Sequence, residues 1–146
     1  MKQIITLSLL LICTLQGLCQ DIFLGTSKDM VTNFYIISIT RKANRATVFE
    51  RVRPADGKLQ VYRKQVIEGR EHQHLGTEGF DKLGYYRRRI MYDCKGKLYQ
   101  ILEATYYDLY GKEIKTNDPD PTADKMQWFI IPPSSMREAE FIKACR

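Results

Sequence analysis

The sequence predicts an α+β fold, a mostly antiparallel β-sheet followed by one C-terminal helix. Two observations predict the sheet. From Val31 to Arg53 β-branched and aromatic residues dominate, and from Tyr85 to Asp108 the side chains alternate at a period of two. Turn-forming clusters interrupt these runs at Arg41-Lys42-Ala43-Asn44-Arg45, Pro54-Ala55-Asp56-Gly57, Lys95-Gly96 and Tyr110-Gly111-Lys112. A third observation predicts the helix: Pro132-Pro133 halts the extended pattern, and Ser135 with Glu138 then makes a capping box.

Residues 1–19 read as a secretory signal peptide. Met1-Lys2 supplies a positive start, and Ile4, Ile5, Leu7, Leu9, Leu10, Leu11 and Ile12 form an apolar stretch with no charge between Lys2 and Asp21. That stretch suits an export signal better than a membrane span or a buried helix. Gly17 and Cys19 are the small residues expected before cleavage at Gln20. Lipidation at Cys19 fits poorly, because Leu18 precedes it and Gln16 stands three before it. No later segment approaches ~18 consecutive apolar residues, so no transmembrane segment is expected in the mature chain, residues 20–146.

The chain has 146 residues, 44% hydrophobic and 27% charged, which excludes collagen-like, low-complexity and wholly disordered classes. Its net charge of +6 is too moderate to demand a nucleic-acid partner, and none is expected. Loss of residues 1–19 removes Lys2 and no acid, lowering the charge from +6 to +5. It also leaves only Cys94 and Cys145. An even pair in an oxidising compartment reads as one disulfide, with two separate buried thiols as the alternative. A bridge closing a loop of about 50 residues stabilises by an amount on the order of 4 kcal/mol in the loop-entropy account.

The elements follow in order. Phe34, Tyr35, Ile36, Ile37 and Ile39 make one strand, and Ala46, Thr47, Val48, Phe49 and Val52 make the next, joined by the turn Arg41-Lys42-Ala43-Asn44-Arg45. Pro54-Ala55-Asp56-Gly57 ends the second. Leu59, Val61, Val66 and Ile67 read as a third, shorter strand. Residues 68–84, with four glycines, read as loop with at most a short strand. Residues 85–94 alternate Tyr86, Arg88, Ile90 and Tyr92 against Tyr85, Arg87, Arg89 and Met91, and Lys95-Gly96, as a tight two-residue connection, turns the chain into another strand over residues 97–108. Residues 117–121 form an extended, proline-interrupted loop. Residues 126–131 make a last strand, and Met136 to Cys145 a short helix.

Tyr92-Asp93-Cys94, a basic turn, a tyrosine-rich strand with a turn at Tyr110-Gly111, Trp128, Pro132-Pro133-Ser134-Ser135, a short helix and Cys145 follow one another in this order. The arrangement resembles the surface-adhesin protein E-like family of small exported proteins of Gram-negative bacteria. The resemblance covers residues 34–146 in outline, with its recognisable motifs in residues 92–146. It implies an antiparallel sheet with a C-terminal helix tied to it by a Cys94–Cys145 disulfide. In its best-known members it implies adhesion to host extracellular proteins. The chain departs from those adhesins in its poor lipidation motif and in residues 60–84.

Glu71, His72 and His74 invite a metal reading, since residues two apart on a strand share a side, but no third ligand is placed by spacing. Exposed, unliganded histidines are the expectation, with no metal and no cofactor. Asp118, Asp120 and Asp124 lack the glycine and terminal glutamate of a calcium loop, and read as a solvated acidic loop. Ser134 and Ser135 sit in no glycine elbow, and capping accounts for Ser135. No active site assembles, and the chain reads as non-enzymatic.

The remaining signals are basic. Arg87-Arg88-Arg89 on a strand splits two against one, leaving Arg87 and Arg89 on the same face, and Arg41, Lys42 and Arg45 mark a hairpin tip. A solvated sheet face accounts for both; the sharper reading is a surface for an acidic partner. The function expected is an exported binding module, periplasmic, secreted or cell-surface associated. Its partner would be an extracellular-matrix or envelope protein, with a sulfated glycan as a further candidate. The alternative is a periplasmic inhibitor or accessory subunit of an envelope enzyme.

Overall fold

In a computed structural model, which describes residues 21–118 and 127–146, the alternating segments form one antiparallel sheet. Strands β1 (Ile22–Thr26), β2 (Thr32–Lys42), β3 (Arg45–Pro54), β4 (Leu83–Asp93), β5 (Leu98–Asp108) and β6 (Glu113–Ile114) lie side by side in chain order. A two-residue strand, β7 (Phe129–Ile130), pairs with the start of β5, while β6 pairs with its end. The Lys95-Gly96 connection is longer than a two-residue loop. It spans residues 94–97, and the Asp93 carboxylate accepts from the Lys95 and Gly96 amides at 3.1 and 3.0 Å.

The expected third strand is a helix. Residues Leu59–His72 form α1, a 14-residue element that also takes up the start of what reads as loop after Glu68. The apolar positions there follow a helical period: Leu59, Tyr62 and Val66 fall three and four apart, and Arg70 continues the stripe. Reading Leu59, Val61 and Ile67 as a strand weighs β-branching above spacing. A 3-10 turn (Phe80–Lys82) then leads into β4. The C-terminal helix α2 (Met136–Cys145) starts where the capping box places it: Ser135 Oγ accepts from the Glu138 amide at 3.1 Å, and the Glu138 carboxylate accepts from the Ser134 amide at 2.7 Å. The fold is α+β as expected, with two helices instead of one. Of the last strand, Phe129 and Ile130 pair, and Met126 lies outside the described residues.

Both helices pack on the same sheet face. Ile36, Ala46, Val48, Ile90 and Tyr92 are covered by Ala144 and Phe141 of α2, and Val52, Phe80 and Leu83 by Tyr62, Val66 and Ile67 of α1. At about 25 cal/mol per Å² of apolar surface this packing is the main stabilisation of the sheet. The Cys94–Cys145 disulfide, with Cα atoms 5.4 Å apart, ties the end of α2 to the end of β4. The opposite face carries the odd-numbered residues of β3 and β4, and among the described residues neither helix packs on it.

Candidate binding face

The uncovered face is built by strand alternation. In β3 it presents Arg45, Thr47, Phe49, Arg51 and Arg53; in β4 it presents Tyr85, Arg87, Arg89 and Met91. Register sets the neighbours: Arg51 stands directly opposite Arg87, Phe49 opposite Arg89, and Thr47 opposite Met91. On the flanks, Tyr35 of β2 pairs with Arg51, and Tyr107 and Glu103 of β5 pair with Tyr85 and Arg89. Arg88, of the other parity, turns inward, as the two-against-one split requires.

Arginines placed directly opposite one another repel. Aromatic rings interleave with them. Arg51 lies over Tyr85 at 5.6 Å, Arg87 over Tyr85 at 5.8 Å and Tyr107 at 5.2 Å, and Arg53 over Tyr35 at 4.5 Å. Tyr85 and Tyr107 are themselves stacked, with centroids 4.9 Å apart. The Nε atoms of Arg51, Arg87 and Arg89 are buried without a hydrogen-bond partner among the described residues, as side chains laid down on their neighbours would have. Two of the arginines meet a carboxylate: Arg51 bonds Asp21 at 2.6 Å and Arg89 approaches Glu103 at 3.5 Å. Among the described residues Arg45, Arg53 and Arg87 have none within 4 Å.

At one end of the face lies an open depression of about 410 Å³ lined by Arg51, Arg53, Pro54, Asp56, Tyr85 and Leu109. Its wall depends on Gly84. The β4–β5 register shifts between Leu83 and Tyr85, and a Cβ on Gly84 would stand 2.7 Å from the Asp108 carbonyl group and the Leu109 nitrogen. Only glycine admits that approach of the β5–β6 turn. The Asp108 carboxylate holds the turn by accepting from the Tyr110 and Lys112 amides at 2.8 and 2.9 Å.

The residues singled out in the sequence divide. Arg87 and Arg89 share the uncovered face. Arg45 stands on it nearer the disulfide end, its guanidinium 5.8 Å from the Trp128 ring centroid, with Lys42 opposite. Arg41 belongs to the helix-bearing face, where it donates to the carbonyls of Lys143 and Ala144. Arg51, Arg53, Tyr85, Tyr107 and Asp56 were not singled out. The parity of Arg51 and Arg53 is legible in the sequence, but not the register that sets them beside Arg87.

The other constellations resolve differently. His72 and His74 are exposed at and just beyond the end of α1, so the same-side argument for a strand does not apply. Among the described residues no three His, Cys, Asp or Glu side chains group as a metal ion would need. Asp118 is not a solvated acid. It accepts from Arg70 Nη2 and Nη1 at 2.6 and 2.9 Å, and that hydrogen bonding holds its carboxyl below the usual range. Asp120 and Asp124 lie outside the described residues.

Two buried carboxylates, Glu50 and Glu140, meet around Arg137 beneath α2. Arg88 makes a bidentate bond to Glu50, both contacts at 3.0 Å, and Glu140 accepts from Arg137 and from the Tyr92 hydroxyl. Burial, then the nearby Glu50 charge, raise the Glu140 carboxyl to about 7 against the pull of Arg137. With Glu50 1% and Glu140 0% exposed, the cluster pins α2 to the sheet from within the core.

Comparison with known proteins identifies one family. The family model for surface-adhesin protein E matches residues 28–146. No curated protein and no solved structure matches the chain. The disulfide fits an extracytoplasmic location, and no helix among the described residues is long and apolar enough to cross a membrane.

Proposed function

The chain belongs to the surface-adhesin protein E family, and on that footing we propose that it is a non-enzymatic, exported binding module whose working surface is the uncovered arginine–aromatic face. Its partner is an extracellular-matrix or envelope protein with an acidic surface. Residues 1–19 serve as the export signal.

One observation carries the assignment of the face. Five arginines stand on one side of a small sheet, two of them directly opposed, and among the described residues only two meet a carboxylate. Such an arrangement costs folding free energy, and a face with no partner has no need of it. Guanidinium groups held on tyrosine rings lose little freedom on binding, and their summed charge steers acidic partners.

The test is binding of the exported protein to immobilised matrix proteins at low and at physiological salt, for the parent and for Arg87→Ala with Arg89→Ala. The parent's affinity should fall as the Debye length shrinks to about 8 Å. The double variant should bind about tenfold more weakly while its melting temperature holds. Equal affinity of the two forms overturns the assignment.

A further inference from the structure

Building on that reading, we infer that the face also takes a ligand that is not protein: a linear sulfated glycan, one charged sugar of which seats in the depression beside Arg53. The argument begins with geometry. Arg53, Arg51 and Arg45 follow one strand, with Arg87 and Arg89 beside them on the next. At ~3.3 Å per residue the row from Arg53 to Arg45 spans about 26 Å, with steps of roughly 7 Å between successive outward residues. The cations are densest at one end, where Arg51 and Arg53 stand one outward step apart and Arg87 lies opposite Arg51, and Arg45 stands at the far end beyond Thr47 and Phe49. Cations distributed along one strand in this way suit a stiff chain that carries several anionic groups. Arginine offers each such group a planar fork of donors.

The sheet itself argues against an extended acidic peptide as this occupant. β3 and β4 are central, flanked by β2 and β5, so their backbone donors and acceptors are engaged with neighbouring strands. A peptide laid over them would find no ladder partners for its own amides and carbonyls. A glycan carries no amide ladder to satisfy. It carries hydroxyls, apolar ring faces and anions.

The depression holds a match for each. Arg53, free of any carboxylate among the described residues, faces the anion; Pro54, Tyr85 and Leu109 supply apolar surface; the exposed carboxylate of Asp56 can accept from a sugar hydroxyl. A volume of about 410 Å³ lies within the range of small-ligand sites. The presence of Asp56 is itself informative. In a site selected only for negative charge an acid at the rim is a liability, whereas in a sugar site it is an acceptor.

The probes are size-defined heparin, chemically desulfated heparin and poly-glutamate, each titrated at physiological salt against the exported protein and its Arg53→Ala, Arg87→Ala and Asp56→Ala variants. Heparin should bind at least about tenfold more tightly than the other two, and each arginine variant should lose about tenfold. Asp56→Ala gives readouts of opposite sign: it should weaken heparin, by loss of an acceptor, and strengthen poly-glutamate, by loss of a like charge. Absence of heparin binding overturns the inference, and so does poly-glutamate binding as tightly as heparin. So does an Asp56→Ala variant that tightens heparin. In each of those cases, matrix-protein binding that still depends on Arg87 and Arg89 leaves the proposed function standing; only arginine-independent binding removes both.

Discussion

Arg41 caps the C-terminal helix from a strand about a hundred residues away in sequence: its Nε donates to the Ala144 carbonyl at 2.7 Å and its Nη2 to the Lys143 carbonyl at 2.9 Å. The last carbonyls of a helix lack partners within it and carry the negative end of its dipole, so a cation there satisfies both deficits. Removing the guanidinium should cost about 1–2 kcal/mol. Chemical denaturation of Arg41→Ala checks the loss. The same variant should bind matrix protein as the parent does, because Arg41 stands on the helix-bearing face, and weakened binding would contradict that separation.

The disulfide acts at the same end of α2. With Cys94 and Cys145 separated by 51 residues, the bridge removes substantial freedom from the unfolded chain. Cys145→Ala should therefore lower stability by roughly 2–5 kcal/mol. Urea denaturation of the variant, beside the parent with and without reductant, measures it. Midpoints that coincide with the oxidised parent would show that the bridge contributes nothing.

The buried cluster under α2 makes stability depend on pH. Glu140 holds its proton in the folded protein up to about pH 7, against an ordinary value of 4.5. The folded state therefore binds more protons than the unfolded one between those values. This contribution is complete below about pH 4.5 and is lost as pH rises through 7, an effect on the order of 3 kcal/mol at most. Glu140→Gln, which cannot titrate, should flatten the fall in unfolding free energy between pH 5 and 8. An unchanged slope would show that Glu140 ionises freely.

Asp118 acts with the opposite sign. Its carboxyl is lowered below 3.8, first by the hydrogen bonds from Arg70, so its contribution is present above the ordinary value and lost as pH falls. Arg70 is 4% exposed and also lies over Phe80 at 4.2 Å. Asp118→Asn leaves that cation without its partner charge and should cost about 1–3 kcal/mol at neutral pH, the penalty shrinking in acid. Thermal melts at pH 7 and pH 3 test both statements.

Much of the architecture was determined by local sequence. Runs of β-branched and aromatic residues place β2 and β3, and period-two alternation places β4 and β5, because side chains on an extended backbone must alternate between faces. Ser135 and Glu138 determine where α2 begins, because a helix start needs acceptors for its free amides. The cysteine pair, in a chain read as exported, implies its own bridge. Helix α1 was legible in the three-and-four spacing of Leu59, Tyr62 and Val66, and is hidden only when β-branching is weighed first.

Tertiary structure alone decided the candidate site. Nothing local tells that Arg51 stands opposite Arg87, 36 residues further along the chain, because pairing register depends on how the two strands bury their inner faces together. Nor does any motif announce that both helices choose the face of Val48 and Ile90 and leave that of Arg87 open. The physical reason is common to both. A strand's alternation is a property of its own backbone, whereas which face is covered, and which cations thereby become neighbours, is set by burying apolar surface that distant segments supply.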